Sequence, residues 1–108
     1  MESFLSIYTI RQAVKWTGPI NGTAREVLWE VVTPSGAPFS GVDVCACVAA
    51  NGGKGTVTIR FQGTDNGKTY SGTFTAGSGT GALAGFQGHG TFKGSGKTGQ
   101  GTYTGVFT

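Results

Sequence analysis

A Gly-Thr-aromatic unit recurs in the second half of this chain and narrows the folds open to it. GTFTAGSGTG at residues 72–81 returns as GTFKGSGKTG at residues 90–99, and GTYTG at residues 101–105 repeats its start. Thr and aromatic side chains suit a pleated, half-buried surface. Gly within a strand permits a bend, or the close approach of a neighbour, because no Cβ stands in the way. Units this few and this short do not build a propeller or a solenoid. Of the 108 residues 21 are Gly, without the strict three-residue period or the Pro content of collagen. Nor is the stretch a flexible linker, since Tyr70, Phe74, Phe86, Phe92, Tyr103 and Phe107 recur within it. Repeated Gly bends in consecutive antiparallel strands instead produce a curved sheet, the requirement for closing a small barrel.

The rest of the chain reads as short strands separated by turn residues. Strands are expected over residues 4–16, 23–32, 39–49, 56–62, 70–75, 82–93 and 101–107, with breaks at Gly18-Pro19, Pro34-Ser35-Gly36, Asn51-Gly52-Gly53 and Asp65-Asn66-Gly67. Asn-Gly supplies the positive φ angles of a tight hairpin. Helix formers at Ala24–Arg25–Glu26 give way to β-branched and aromatic residues, so residues 24–32 are read as strand. The expectation is an all-β, single-domain chain over residues 1–108: one antiparallel, seven- or eight-stranded closed β-barrel.

Alternation assigns faces. Val57, Ile59 and Phe61 share one side of their strand; Tyr70, Gly72 and Phe74 share another, as do Gly88, Gly90 and Phe92, and Tyr103, Gly105 and Phe107. Large residues alternating with Gly fit a tapering barrel interior. Trp29, between Val27 and Val31, is assigned to the same inward set, and Gln87, His89 and Lys93 to solvent.

The net charge is +3, from 8 basic and 5 acidic residues, and charged residues make up 12% of the chain, about half the usual share. Such sparse charge weighs against nucleic acid as a partner. No run approaches the ~20 apolar residues of a membrane-spanning helix, and the start MESFLSIYTIRQ lacks the pattern of a secretory signal. A cytoplasmic address is the expectation. Cys45 and Cys47, two apart on a strand, would have Cα atoms roughly 6.5 Å apart and parallel Cβ vectors. Free thiols are expected there, and with a single distant His neither a zinc site nor any other metal or cofactor is implied.

The segment TYSGTFTAGSGTGALAGFQGHGTF, residues 69–92, resembles a family of small bacterial proteins of unknown function that share the allene oxide cyclase and dirigent-type β-barrel. The features are a Gly-Thr-aromatic strand, a Gly-Ser-Gly-Thr-Gly turn at residues 77–81, Leu-Ala-Gly-aromatic at residues 83–86 and a Gly-rich returning strand. Upstream, residues 17–22, the Glu- and aromatic-containing strand at 26–30 and the Gly41-Val42-Asp43 step follow the same order. Arg60-Phe61 stands where relatives often carry Gln-His, and residues 43–53 align only with a gap. The resemblance implies an allene oxide cyclase-like or lipocalin-like barrel with an apolar lumen, often a homo-oligomer such as a dimer or trimer. It implies no agreed reaction.

Two functional readings follow. In the first, the lumen binds a small apolar molecule, lined by Trp29, Phe61, Tyr70, Phe74, Phe92 and Tyr103, because so many Gly on the same faces leave little side-chain volume to fill it. In the second, an isomerase or cyclase uses the same lumen to hold a hydrophobic substrate in a reactive conformer. Asp43 or Glu30 would then be its acid or base, Tyr70 a hydrogen-bond donor, and Cys45 and Cys47 neighbours of Asp43 on one face. The plainer reading of that cluster puts Val42, Val44, Ala46 and Val48 inward and Asp43 outward. Glu26 and Glu30, four apart, would lie roughly 13 Å from each other along a strand, too far for paired-carboxylate catalysis, and read as an exposed acidic face.

Overall fold

In the computed structural model, residues 6–108 are described, and they form one antiparallel meander. The strands are β1 (Ser6–Trp16), β2 (Ile20–Val32), β3 (Ala37–Ala49), β4 (Lys54–Asp65), β5 (Thr69–Gly77), β6 (Gly88–Ser95) and β7 (Gly101–Phe107), hydrogen-bonded in chain order. One short 3-10 turn, Gly81–Leu83, stands between β5 and β6. Of the expected first strand, Phe4 and Leu5 lie outside the described residues. The Asn66-Gly67 reversal is as expected, with Gly67 at φ +89° and Asn66 Oδ1 accepting from the amides of Lys68 and Thr69 at 2.9 and 2.8 Å.

The sheet is not closed. β1 and β7 are its two edges and share no backbone ladder, which corrects the expected closed barrel. Side chains hold the edges together at one end. The Trp16 and Tyr103 rings pack edge to face at 4.9 Å, and the Tyr103 hydroxyl donates to the carbonyl of Thr17 in the β1–β2 turn. The loop after β5 folds back over β4: Thr80 N donates to Thr56 O at 3.0 Å, and Leu83, 2% exposed, inserts into the core. That loop replaces the strand expected from residue 82, so Phe86 packs from a turn and not from a strand.

Ile20, Ala24, Cys45, Val57 and Ile59 are fully buried on the inner face, with Phe74 and Leu83 beside them. Fully burying an aliphatic side chain contributes about 1.5–3 kcal/mol. Two aromatic groups extend this core. Phe92 has Phe39, Phe61 and Tyr70 at 6.0–6.1 Å, and Phe74 has Trp16, Tyr103 and Phe107 at 5.7–6.1 Å. Each such pair adds about 0.5–1.5 kcal/mol beyond its area.

The glycines have a more specific part than bending. Inner-face rings sit opposite glycines on the next strand: Phe61 opposite Gly41, Phe39 opposite Gly63, Phe92 opposite Gly72 and Tyr70 opposite Gly94. A Cβ on Gly72 would come within 2.7 Å of Phe92 Cζ, and one on Gly63 within 2.9 Å of Phe39 Cζ. The rings lie over the bare backbone. These glycines therefore seat aromatic side chains where empty space was expected.

Candidate functional site

Cross-strand register fixes which side chains face inward. Asp43 is paired with Ile59 on β4, whose inward orientation is settled by its full burial, so Asp43 faces inward too. Asp43 is also paired with Glu26 on β2, and Glu26 with Gln12 on β1. The plainer reading of β3 is thereby corrected. Val42, Val44 and Val48 take the outer face, with Val44 40% exposed, while Asp43, Cys45 and Cys47 are buried. The expected exposed acidic face on β2 is also reversed, since Glu26 is buried and Glu30 half-buried on the inner face. Trp29 moves the other way: it is 44% exposed on the outer face with Val27 and Val31, and lines nothing inside.

Inside the curled sheet lies a cavity of about 880 Å³, lined from β1 through β7 and bordered by both free edges. That lies within the roughly 300–1,000 Å³ of small-molecule sites. Five of the six expected lining aromatics, Phe61, Tyr70, Phe74, Phe92 and Tyr103, belong to its wall, together with Trp16 and Phe39. Both tyrosine hydroxyls are engaged at its rim. Tyr70 donates to the carbonyl of Gly99 at 3.0 Å and Tyr103 to that of Thr17, so each proton is committed and the oxygens remain as acceptors. Burial raises both phenols above their ordinary value, helped at Tyr70 by the charges of Glu26 and Asp65.

Asp43 is the deepest polar group of the wall, at 1% exposure. Its Oδ2 accepts the indole N–H of Trp16 at 2.9 Å, while Oδ1 is buried and accepts from no N–H or O–H of the described residues. Glu26 accepts from the Gln12 side-chain amide. Burial first, then a hydrogen bond to Glu26 and the Glu26 charge, push the Asp43 carboxyl up to about 8, against the pull of the Trp16 N–H. A carboxyl in this state carries a proton at neutral pH. Farther along the wall, burial and then the charge of Asp65 raise Glu30 above the usual carboxylate range.

Charge is sorted by face. Glu26, Glu30, Asp43 and Asp65 all occupy inward register positions and line the cavity. Arg11, Lys15, Arg25, Lys54, Arg60 and Lys93 occupy outward positions and are exposed, Lys15 and Lys93 reaching the rim. A mildly basic chain thus encloses an acidic, aromatic interior. Sequence reasoning missed this, although a signal was present: Phe39 and Gly41 put the ring-and-glycine face of β3 on the same side as Asp43.

The remaining candidates lie elsewhere or change character. Cys45 and Cys47 are bridged, with Cα atoms 5.3 Å apart, inside the usual range for a disulfide and shorter than the extended-strand spacing that had argued against one. Neither offers a thiol, and the case for a reducing compartment made from free thiols falls with them. His89 is exposed on the outer face beside a separate hollow of about 480 Å³. Among the described residues no three His, Cys, Asp or Glu side chains are grouped to hold a metal ion, and no helix is long and apolar enough to cross a membrane.

A family model described as "Protein of unknown function (DUF3224)" matches residues 2–105. No curated protein and no solved structure matches the chain.

Proposed function

The chain belongs to the DUF3224 family of unknown function, and from that premise we propose that it binds a small, largely apolar molecule non-covalently inside the curled sheet. The observation that carries this reading is the cavity of about 880 Å³ walled by Trp16, Phe39, Phe61 and Phe92, with a buried polar group, Asp43, at its base. An apolar wall with few convergent polar groups is the usual form of a small-molecule site. The resemblance of residues 69–92 to allene oxide cyclase-type barrels agrees with a lumen ligand, and oligomers of such barrels make a dimer or trimer part of the same proposal.

The test is a fluorescence titration with N-phenyl-naphthylamine, a neutral lipophilic dye. Saturable enhancement at one dye per chain is expected. It should vanish in Leu28→Trp or Ile10→Trp, which fill the cavity from β2 and β1, and persist in Trp29→Phe on the outer face. Equal enhancement in folded cavity-filled variants would refute lumen binding.

One observation favours an enzymatic second reading. Asp43, pushed up to about 8 beside an aromatic wall, is suited to act as a general acid in an isomerisation or cyclisation. Glu30 would be a weaker acid-base candidate and Tyr70 an acceptor, its own proton being engaged. Turnover of a bound hydrophobic substrate, lost in Asp43→Asn with binding retained, would distinguish an enzyme from a carrier.

A further inference from the structure

The acids inside and the bases outside bear on what kind of molecule enters. A neutral hydrocarbon gains nothing from four inward carboxyl groups, and an anion such as a fatty acid would be repelled by them. The wall also contains a buried acceptor with no donor, Oδ1 of Asp43. A buried acceptor left unmatched is costly, and a ligand N–H would supply its missing partner. Aromatic faces attract cations, most strongly when desolvated, and Trp16, Phe61, Phe92 and Tyr103 stand on the same wall.

Resting on the lumen-binding reading, we infer that the cavity takes a small organic ammonium ion. Its N–H is donated to Oδ1 of Asp43 beside Glu26, and its apolar or aromatic body lies against the rings of Trp16, Phe61, Phe92 and Tyr103. On binding, the ammonium N–H meets the oxygen that has no partner in the empty cavity, and the Asp43 proton leaves to solvent. No covalent bond is made or broken. The cationic rim of Lys15 and Lys93 lies on the outward register, so the attraction is confined to the interior.

Three probes of similar shape test this by calorimetry at neutral pH: tyramine as the cation, para-propylphenol as its neutral counterpart and para-hydroxyphenylacetate as the anion. Tyramine should bind at least about tenfold more tightly than para-propylphenol, the scale expected of a desolvated cation–aromatic contact with a charge partner. Para-hydroxyphenylacetate should bind least. Asp43→Asn should erase the preference for tyramine over para-propylphenol, because the Asn oxygen still meets the Trp16 N–H but the carboxylate that pairs with the ammonium is gone. Glu26→Gln should reduce the preference without erasing it. Should either variant fail to fold, the wild-type ranking decides alone. Para-propylphenol or the anion binding as tightly as tyramine would overturn the ammonium class and leave the lumen reading standing. The same holds if N-phenyl-naphthylamine binds and none of the three probes does. Failure of the dye and all three probes would remove both.

Discussion

Glu26 on β2 and Asp43 on β3 stand directly opposite one another across an antiparallel ladder, so two carboxyl groups meet on the inner face of the sheet. Like charges opposite each other destabilise a sheet, and here both carboxyl groups are also withdrawn from water. The arrangement holds because Asp43 keeps a proton, Trp16 covers its second oxygen and Gln12 donates to Glu26.

Stability should therefore depend on pH in a particular direction. The folded-state value of Asp43, about 8, lies above its ordinary 3.8, so the native chain holds a proton that the unfolded chain releases within that window. Stability is highest at the acid end, falls as pH rises toward about 8, and changes no further on this account above it. The slope approaches one proton, about 1.4 kcal/mol per pH unit at most. Glu26, Glu30, Asp65, Tyr70 and Tyr103 also line the cavity, and Glu26 opposite Asp43 is the group whose charge matters most. Urea unfolding at a series of pH values checks this, with Asp43→Asn expected to flatten the slope.

Trp16→Phe keeps an aromatic ring against Phe74 and Tyr103 and removes only the N–H that Asp43 Oδ2 accepts at 2.9 Å. A loss of about 1–3 kcal/mol is expected for a buried acceptor left bare. Since that N–H holds the Asp43 carboxyl down, its titration should move still higher, observable by NMR of the side-chain carboxyl carbon. An unchanged titration would mean that Trp16 does not touch the acid.

At Gly72 a methyl group would collide with Phe92 and with the carbonyl of Gln62, whereas at Gly85 nothing lies within 4 Å and φ is not positive. Gly72→Ala should cost about 1–3 kcal/mol by overpacking. Gly85→Ala should be neutral or stabilising by up to about 1 kcal/mol, through the reduced freedom of the unfolded chain. Thermal or urea unfolding of the two variants compares them directly.

Tyr103→Phe removes the hydroxyl that ties β7 to Thr17 and leaves the ring contact with Trp16 in place. The expected cost is about 0.5–1.5 kcal/mol. Because β1 and β7 have no backbone ladder between them, amide exchange should quicken in β7 before it does in β3 or β4.

These residues also show what the sequence could and could not convey. The hairpin at Asn66-Gly67, the inward set Val57, Ile59 and Phe61, and the cavity positions of Tyr70, Phe74, Phe92 and Tyr103 were legible, because turn chemistry and two-residue alternation are local. The faces of β2 and β3 were not. Val27 and Val31, with Val42, Val44 and Val48, look like core, and alternation separates two faces without saying which is inside. The pairing of Asp43 with Ile59, a relation between distant segments, decides it, and within β3 itself the shared side of Phe39, Gly41 and Asp43 was the one local hint. Closure was illegible for the same reason: whether β1 meets β7 depends on accumulated curvature and not on either strand. The family match adds membership without chemistry.

The most direct measurement of lumen binding is a set of intermolecular nuclear Overhauser contacts from bound para-propylphenol, since the chain's two tryptophans lie on opposite faces, Trp16 on the cavity wall and Trp29 outside. Contacts to the rings of Trp16 and Phe92, with none to Trp29, are the predicted result. Contacts to Trp29 and Val44 alone would contradict it.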